Sequence, residues 1–123
     1  MPTNQVSISP SGEEFPLPTT KDYQAEFARL SKLAAKQRQA GKEIVVVVGL
    51  GFVGAVMAAV VADATDKKGR ATKYVIGMQR PSTRSFWKIC LLNRGVSPVK
   101  AEDPEVERII ARCVKEKQTL VAT

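Results

Sequence analysis

An apolar run that leads into three spaced glycines constrains the fold of this 123-residue chain more than any other feature. Residues 44–48 read Ile-Val-Val-Val-Val, and the residues that follow read Gly-Leu-Gly-Phe-Val-Gly. In a strand–turn–helix unit that binds a dinucleotide, the first glycine permits the tight turn, the second lets a diphosphate approach the backbone, and the third lets the helix pack on the strand. Because the small, apolar run 55–64 follows at once, the pattern predicts such a unit, with the diphosphate at the start of the helix.

The predicted elements after this turn alternate between strand and helix. Strands are predicted at 44–48, 73–78 and 119–123, and helices at about 52–64, from 81 to about 93, and from 103 onward. The first strand shows no alternation of apolar and polar residues, so both of its faces are predicted to be buried, as in a parallel sheet. The order predicts an α/β fold, a Rossmann-like βαβαβ half-domain with a parallel three-stranded sheet and right-handed crossovers.

The complete Rossmann fold has two such halves. Residues 44–123 are therefore interpreted as a dinucleotide-binding half-domain that is incomplete at its C-terminus. A half-domain of this kind is predicted to expose a sheet edge, which favours self-association.

The residues before the first strand, 1–43, are predicted to form a separate N-terminal segment. Residues 1–20 hold prolines and glycines among polar residues and are interpreted as an irregular arm. Thr20 is a candidate cap for an extra amphipathic helix over about 21–39, which Gly41 ends. The apolar stripe of this helix consists of Tyr23, Phe27, Leu30, Leu33 and Ala34. We interpret the stripe as packing against one edge of the domain, with docking or dimerisation as the alternative.

The composition excludes several kinds of catalytic site. The chain has no histidine, which excludes histidine-based nucleophile triads and leaves no good metal constellation. Its two cysteines, Cys90 and Cys113, sit in apolar stretches without Cys-x-x-Cys spacing and are interpreted as reduced, packed thiols. The sequence therefore predicts no catalytic residue and no metal site in this chain.

Charge and hydropathy limit the partners and the location. A net charge of +7 suggests a polyanionic partner, either nucleic acid or a phosphate-bearing cofactor, with solvated surface charge as the alternative. The basic cluster within 67–73 lacks interleaved aromatic residues, so the cofactor is favoured over nucleic acid. No apolar run reaches the roughly 20 residues that cross a bilayer, and residues 1–5 lack the regions of a signal peptide. A cytoplasmic protein without a membrane partner is predicted.

The ribose of a bound dinucleotide is expected at the end of the second strand. An acidic residue there normally binds the ribose hydroxyls, and Gln79 stands in its place. A glutamine amide can still hydrogen-bond a hydroxyl, but it carries no charge. Arg80 and Arg84 follow, and each can stack on adenine or bind a 2′-phosphate, or can be a solvent-facing charge. NAD is favoured as the cofactor, with NADP as the alternative.

Three blocks of residues carry a resemblance to a known enzyme family. Residues 47–54 read Val-Val-Gly-Leu-Gly-Phe-Val-Gly, where that family reads Gly-x-Gly-Tyr-Val-Gly. Residues 88–99 hold Lys-Ile and then Leu-Asn-Arg-Gly-Val-Ser-Pro-Val, similar to Lys-Ile … Leu-Asn-x-Gly-x-Ser-Pro-Ile, and residues 102–106 are similar to Glu-Pro-x-Leu. Many Rossmann enzymes share the first block, but its combination with the second resembles the UDP-glucose/GDP-mannose dehydrogenases, the nucleotide-sugar dehydrogenases. The resemblance covers residues 44–123.

This resemblance implies an activity. Members of the family oxidise the C6 alcohol of a UDP- or GDP-sugar to a uronic acid in an NAD-dependent, four-electron reaction, in support of polysaccharide biosynthesis. The nucleophile of that reaction is a cysteine in a later domain, which neither Cys90 nor Cys113 matches. The chain is therefore interpreted as a truncated N-terminal NAD-binding region, inactive alone, whose full-length parent also binds a nucleotide sugar.

The resemblance also carries over the three glycines and the backbone of the two residues between them as cofactor contacts. Together with the residues at the end of the second strand, the predicted cofactor site consists of Gly49, Gly51, Phe52, Val53, Gly54, Gln79, Arg80 and Arg84. Phe52 replaces the family's tyrosine, and Gln79 replaces its aspartate. The spacing after Gln79 is longer than usual, so the family's basic cofactor contact corresponds to Arg84 or to Lys88.

Two alternatives to this interpretation remain open. In the first alternative, the chain is a non-catalytic nucleotide-binding or interaction module that uses the helix over 21–39 as its partner surface. In the second, it is another Rossmann dehydrogenase, of the 3-hydroxyacid or 6-phosphogluconate type, which shares the glycine turn alone. The identity of the sugar and the oligomeric state, including a homo-oligomer, are left open by the sequence.

Overall fold

A computed structural model describes residues 5–100 and 103–123 of the chain. Residues 1–4, which belong to the segment searched for a signal peptide, and Glu102 of the third family block lie outside the described residues. Within the described ranges, no helix combines the length and the apolar character needed to cross a membrane.

The elements are two short N-terminal strands and a long helix, followed by alternating strands and helices. They are β1 (Val6–Ile8), β2 (Glu14–Pro16), α1 (Thr20–Gln39), β3 (Glu43–Val48), α2 (Phe52–Asp63), β4 (Lys73–Met78), α3 (Phe86–Asn93), α4 (Glu105–Ala111) and β5 (Leu120–Ala122). A π-helical turn, Arg112–Glu116, continues α4. The main sheet has the order β3-β4-β5 with both pairs parallel. The predicted α/β, Rossmann-like half-domain with an extra N-terminal helix is confirmed.

The two faces of this sheet are covered by different parts of the chain. On one face, Val75, Leu120 and Ala122 pack with buried residues of α2, α3 and α4 in the larger core cluster. On the other face, Tyr74, Ile76 and Val121 pack with apolar residues of α1 and β3, namely Leu30, Leu33 and Ile44. The predicted packing of the apolar stripe of α1 is therefore only partly realised, because Phe27 of the same stripe is 75% exposed.

The prediction that both faces of the first strand of the parallel sheet are buried is wrong. Within the described residues, β3 pairs with β4 alone and forms an edge of the sheet. Val46 is 50% exposed and Val48 is 81% exposed, since α1 covers only the beginning of this strand, at Ile44. An apolar run without alternation indicates a parallel strand here, but it does not report how much of the strand is covered by neighbours.

The arm that was predicted to be irregular contains an antiparallel hairpin instead. β1 pairs with β2 in the register Ser7 with Phe15. Among the residues that suggested irregular structure, Pro10 and Gly12 lie in the turn, where Gly12 has a φ of 93°, and Pro16 is the last residue of β2. The hairpin is held against α3, because Phe15 is buried and the backbone N–H of Trp87 donates to Ser7 Oγ over 3.0 Å. The division of the chain at residue 43 stays a prediction.

Three helices, α1, α3 and α4, begin at residues that differ from the predicted ones, and side-chain hydrogen bonds lie at each of these starts. The cap of α1 is Thr19 rather than Thr20, since Thr19 Oγ1 accepts the backbone N–H of Asp22. α3 begins at Phe86, after a turn in which Ser82 and Ser85 hydrogen-bond each other. α4 begins at Glu105, whose N–H donates to the Asp103 carboxylate over 2.9 Å.

Candidate functional site

The three glycines of the turn between β3 and α2 meet three different requirements. Gly49 has a φ of 94°, a left-handed conformation that side chains rarely adopt. A Cβ added to Gly54 would lie 1.8 Å from the carbonyl oxygen of Gly49, so this glycine permits the close packing of the helix on the turn. Gly51 has an ordinary φ of −73°, and a Cβ there would meet no atom within 4 Å among the described residues outside its chain neighbours.

The start of α2 is open to solvent at this turn. Gly51 is the N-cap of the helix, and no side chain of the described residues caps it. Phe52 is 59% exposed and Val53 is 71% exposed. The first N–H groups of a helix lack partners within the helix and carry partial positive charge, so this turn offers an uncapped helix start to an anion.

Leu50, between the first two glycines, anchors the turn, and sequence reasoning missed its role. Its side chain is fully buried and lies over Gly77 of β4, where an added Cβ would come within 2.7 Å of Leu50 Cδ2. An apolar residue inside a Gly-x-Gly turn opposite a glycine in the next strand is the signal that would have indicated this contact. This contact packs the turn against β4.

Gln79 contacts the glycine turn directly. Its side-chain Oε1 accepts the backbone N–H of Leu50 over 2.7 Å, so the orientation of the amide follows from the donor. The Nε2 group of Gln79 remains as a donor to a ligand hydroxyl, and the second lone pair of Oε1 remains as an acceptor. The structure therefore brings Gln79 to the glycine turn through a contact that the sequence did not indicate, and its contact with a ribose stays a prediction.

The basic residues after β4 lie at or near the surface. Arg80 and Arg84 are both exposed in the segment between β4 and α3. The carbonyl oxygen of Arg84 accepts the indole N–H of Trp87 over 2.8 Å. Lys88 Nζ lies 5.8 Å from the centre of the Trp87 ring. These contacts order the segment, and the cofactor contacts of Arg80, Arg84 and Lys88 stay predictions.

Both cysteines are held in the thiol form. Burial raises the pKa of Cys90 and of Cys113, above all through loss of solvation. A raised pKa opposes formation of the thiolate, which is the nucleophilic form. Over the ranges that the structure describes, no three histidine, cysteine, aspartate or glutamate residues are grouped so as to hold a metal ion.

The Leu-Asn-Arg-Gly block has structural roles in this chain. The Asn93 amide donates to the carbonyl of Ala122 over 3.0 Å and accepts the N–H of Ala122 over 2.8 Å, which fastens the end of α3 to β5. Arg94 forms two hydrogen bonds to Glu13, and Gly95 ends the helix at a φ of 81°. The block thus joins α3, β5 and the N-terminal hairpin.

A parallel strand, a three-glycine turn and a helix packed against that turn define the class of this chain as a Rossmann-like α/β half-domain. Among solved structures, the crystal structure of an NDP-N-acetyl-D-galactosaminuronic acid dehydrogenase from Methanosarcina mazei Go1 is similar to it, at 36% sequence identity and a TM-score of 0.58. The match covers 71% of this chain and 17% of that chain. No protein-family model and no curated protein matches the chain. The resemblance to the nucleotide-sugar dehydrogenases that the motifs predict is confirmed.

Proposed function

We propose that this chain is the cofactor-binding part of a cytoplasmic nucleotide-sugar dehydrogenase. The parent enzyme oxidises the C6 alcohol of a UDP- or GDP-sugar to a uronic acid in a four-electron reaction. NAD, with NADP as the alternative, would accept one hydride in each of the two oxidation steps, and water would supply the second carboxylate oxygen. The diphosphate of the dinucleotide lies at the turn formed by Gly49, Gly51 and Gly54, against the backbone of Phe52 and Val53. This chain alone is inactive, because the substrate contacts and the nucleophile belong to other parts of the parent.

The surroundings of Gly51 carry this proposal. The backbone of Gly51 has dihedral angles that any residue adopts, and a side chain there would meet no non-neighbouring atom of the described protein. The fold itself therefore does not require glycine at this position. A diphosphate that approaches the main chain does require it, since a side chain would occupy the same space.

Two further features support a dinucleotide site. The helix that starts at Gly51 is uncapped by side chains of the described residues, so its partial positive charge and its N–H groups suit a diphosphate. Gln79 lies at the end of β4 and contacts the turn, at the position where this class of fold binds the ribose. The similarity to a nucleotide-sugar dehydrogenase indicates the class of reaction.

The exposed edge of β3 supports an enzyme with a second half. In the complete fold the first strand of the glycine unit is central, and the second half of the sheet pairs with it. β3 corresponds to that strand, and its outer part is exposed at Val46 and Val48. A second half contributed by the rest of the parent would cover this edge.

A Gly51→Thr variant tests the diphosphate site. Threonine caps a helix about as well as glycine, so we expect the variant to fold like the unmodified chain. Its β-branched side chain occupies the space of the diphosphate, so we expect isothermal titration calorimetry to show ADP and NAD binding to the unmodified chain and to show neither binding to the variant. Circular dichroism of both proteins controls for folding.

Retained affinity in Gly51→Thr would contradict the geometry of the site. Absence of ADP, NAD and NADP binding to the unmodified chain and to the parent enzyme would end the cofactor assignment.

A further inference from the structure

A cavity of about 500 Å³ lies beside the end of β4 and the residue that follows β5. The main sheet contributes Met78, and the residues just after its strands contribute Gln79 and Thr123. The other walls come from the N-terminal segment and from α3, and their apolar members include Pro16, Pro18, Tyr23, Phe86 and Ile89. Part of the wall thus belongs to the N-terminal segment, which lies before the residues that resemble the dehydrogenase family.

We propose that this cavity receives the adenine of the dinucleotide, so that the N-terminal segment forms part of the cofactor site. We call it the base cavity. The proposal rests on the proposed function, because it takes the diphosphate to lie at the glycine turn. It assigns a binding role to α1 and to the residues before it, whose sequence indicates only packing, docking or dimerisation.

Gln79 connects the base cavity to the glycine turn. The residue lines the cavity, and its Oε1 accepts the N–H of Leu50 in the turn over 2.7 Å. A nucleotide whose diphosphate lies at the turn therefore passes Gln79 before it reaches the cavity. The ribose, which joins the diphosphate to the base, is the part that meets the Gln79 amide. Ligands of open α/β sheets bind outside the carboxyl ends of the strands, and the base cavity lies there.

The chemistry of the cavity walls suits a neutral base better than a phosphate. Aromatic, proline and methionine side chains offer flat or deformable apolar surfaces to a ring. The charged groups in the wall already have partners: Glu26 accepts hydrogen bonds from Arg29 and from the Thr123 hydroxyl. Asp22 accepts the N–H of Thr19. The volume lies within the roughly 300–1,000 Å³ of small-molecule sites.

A titration with ligands that differ in the base tests this assignment. ADP carries adenine and a diphosphate, UDP replaces the adenine by uracil, and inorganic pyrophosphate has no base. We expect Tyr23→Ala to weaken ADP binding by about three- to tenfold, the loss of one aromatic contact, and to leave pyrophosphate binding unchanged. Phe27→Ala is the matched control, because Phe27 lies one turn further along α1, is 75% exposed and does not line the cavity.

A second measurement uses the thiol of Cys90, which lines the same cavity. We expect ADP at ten times its Kd to slow modification of Cys90 by a small thiol reagent about tenfold, since only the unliganded fraction reacts. Pyrophosphate at the glycine turn leaves Cys90 accessible and the rate unchanged. Cys113 is fully buried and serves as the internal reference when the products are separated by mass spectrometry.

Three outcomes overturn the base cavity. They are equal ADP affinities of Tyr23→Ala and the unmodified chain, UDP binding as tight as ADP binding, and a Cys90 rate that ADP does not change. Each leaves the proposed function intact as long as ADP binds and Gly51→Thr abolishes that binding. If neither the unmodified chain nor the parent enzyme binds ADP, NAD or NADP, the proposed function fails first and the base cavity fails with it.

Discussion

Gly51 and Gly54 belong to one turn, but the protein constrains only one of them. Gly54 faces the carbonyl of Gly49 at a distance that leaves no room for a Cβ, whereas a Cβ at Gly51 would meet no non-neighbouring atom among residues 5–100 and 103–123. The three-glycine spacing predicts the open position of Gly51 and the packing role of Gly54, but it does not give the distance between a Cβ at residue 54 and the Gly49 carbonyl. That distance depends on where the helix lies relative to the turn.

The matched substitutions Gly54→Ala and Gly51→Ala test this difference in stability. The Cβ at residue 54 would lie 1.8 Å from a backbone oxygen, so the helix and the turn have to move apart, at a cost of about 3 kcal/mol. Gly51→Ala changes only the preference at a helix N-cap and costs less than about 1 kcal/mol. Urea unfolding of both variants measures the two costs. Equal stabilities would show that the turn does not pack as closely as described.

Gln79 shows how far sequence reasoning reached at the level of single residues. Its position at the end of the second strand of the parallel sheet is predicted by strand spacing, and the structure places it there. Its contact with Leu50 depends on the register of β3 and β4 and on the anchoring of Leu50 over Gly77, and no local pattern encodes that register. The side chains that interact across elements are therefore the part that the sequence did not predict.

Among the secondary-structure elements, α2 and the π-helical turn after α4 are joined by a charge network. Asp63 at the end of α2 accepts hydrogen bonds from Arg112 and Lys117. The hydrogen bond from Arg112 is the main cause that lowers the pKa of Asp63 from 3.8 to about 2. The network fixes the end of α2 against the segment that leads into β5.

This network predicts a pH dependence. The folded state holds the Asp63 carboxylate at a pKa below that of the unfolded chain, so the stabilisation is present above about pH 4 and is lost as the pH falls towards 2. Asp63→Asn removes the charge and lowers the free energy of unfolding at pH 7 by about 1 kcal/mol, since the group is partly exposed to solvent. We expect the difference in the free energy of unfolding between the unmodified chain and Asp63→Asn, measured in urea, to shrink below pH 4.

Glu107→Gln on the neighbouring helix provides the control. Glu107 is an exposed carboxylate of α4, so we expect the free energy of unfolding of its variant to follow that of the unmodified chain at each pH. A difference between the parent chain and Asp63→Asn that stays constant from pH 7 to pH 2 would contradict the role of the Asp63 charge.

For the molecule as a whole, the uneven cover of the sheet matters most. The alternation of strands and helices in the sequence was sufficient to predict a parallel sheet, and the sheet order confirms it. The hairpin β1–β2 was missed because each strand has three residues, too few to show a period. An exposed sheet edge was predicted, but the exposed apolar flank around β3 was not, because the exposure of a side chain depends on what packs alongside it. That flank consists of Val46, Val48, Phe52, Val53, Met57 and Val60.

This exposed flank predicts self-association of the isolated chain. An unpaired strand edge with apolar side chains pairs readily with another copy. We expect light scattering after size exclusion to show a mass that rises with concentration, and Val46→Lys to shift the population towards the monomer, because a charge at a strand edge opposes pairing. Phe27→Lys is the control, since Phe27 is exposed on α1. An unmodified chain that stays monomeric at every concentration would contradict the prediction.

The long helix that covers one face of the sheet precedes all three strands of that sheet in the chain. It therefore leaves the ribosome before them, because synthesis proceeds from the N-terminus. The residues of α1 that cover Tyr74, Ile76 and Val121 have already been synthesised when these side chains emerge. A helix placed after the strands in the chain would not yet be available to them.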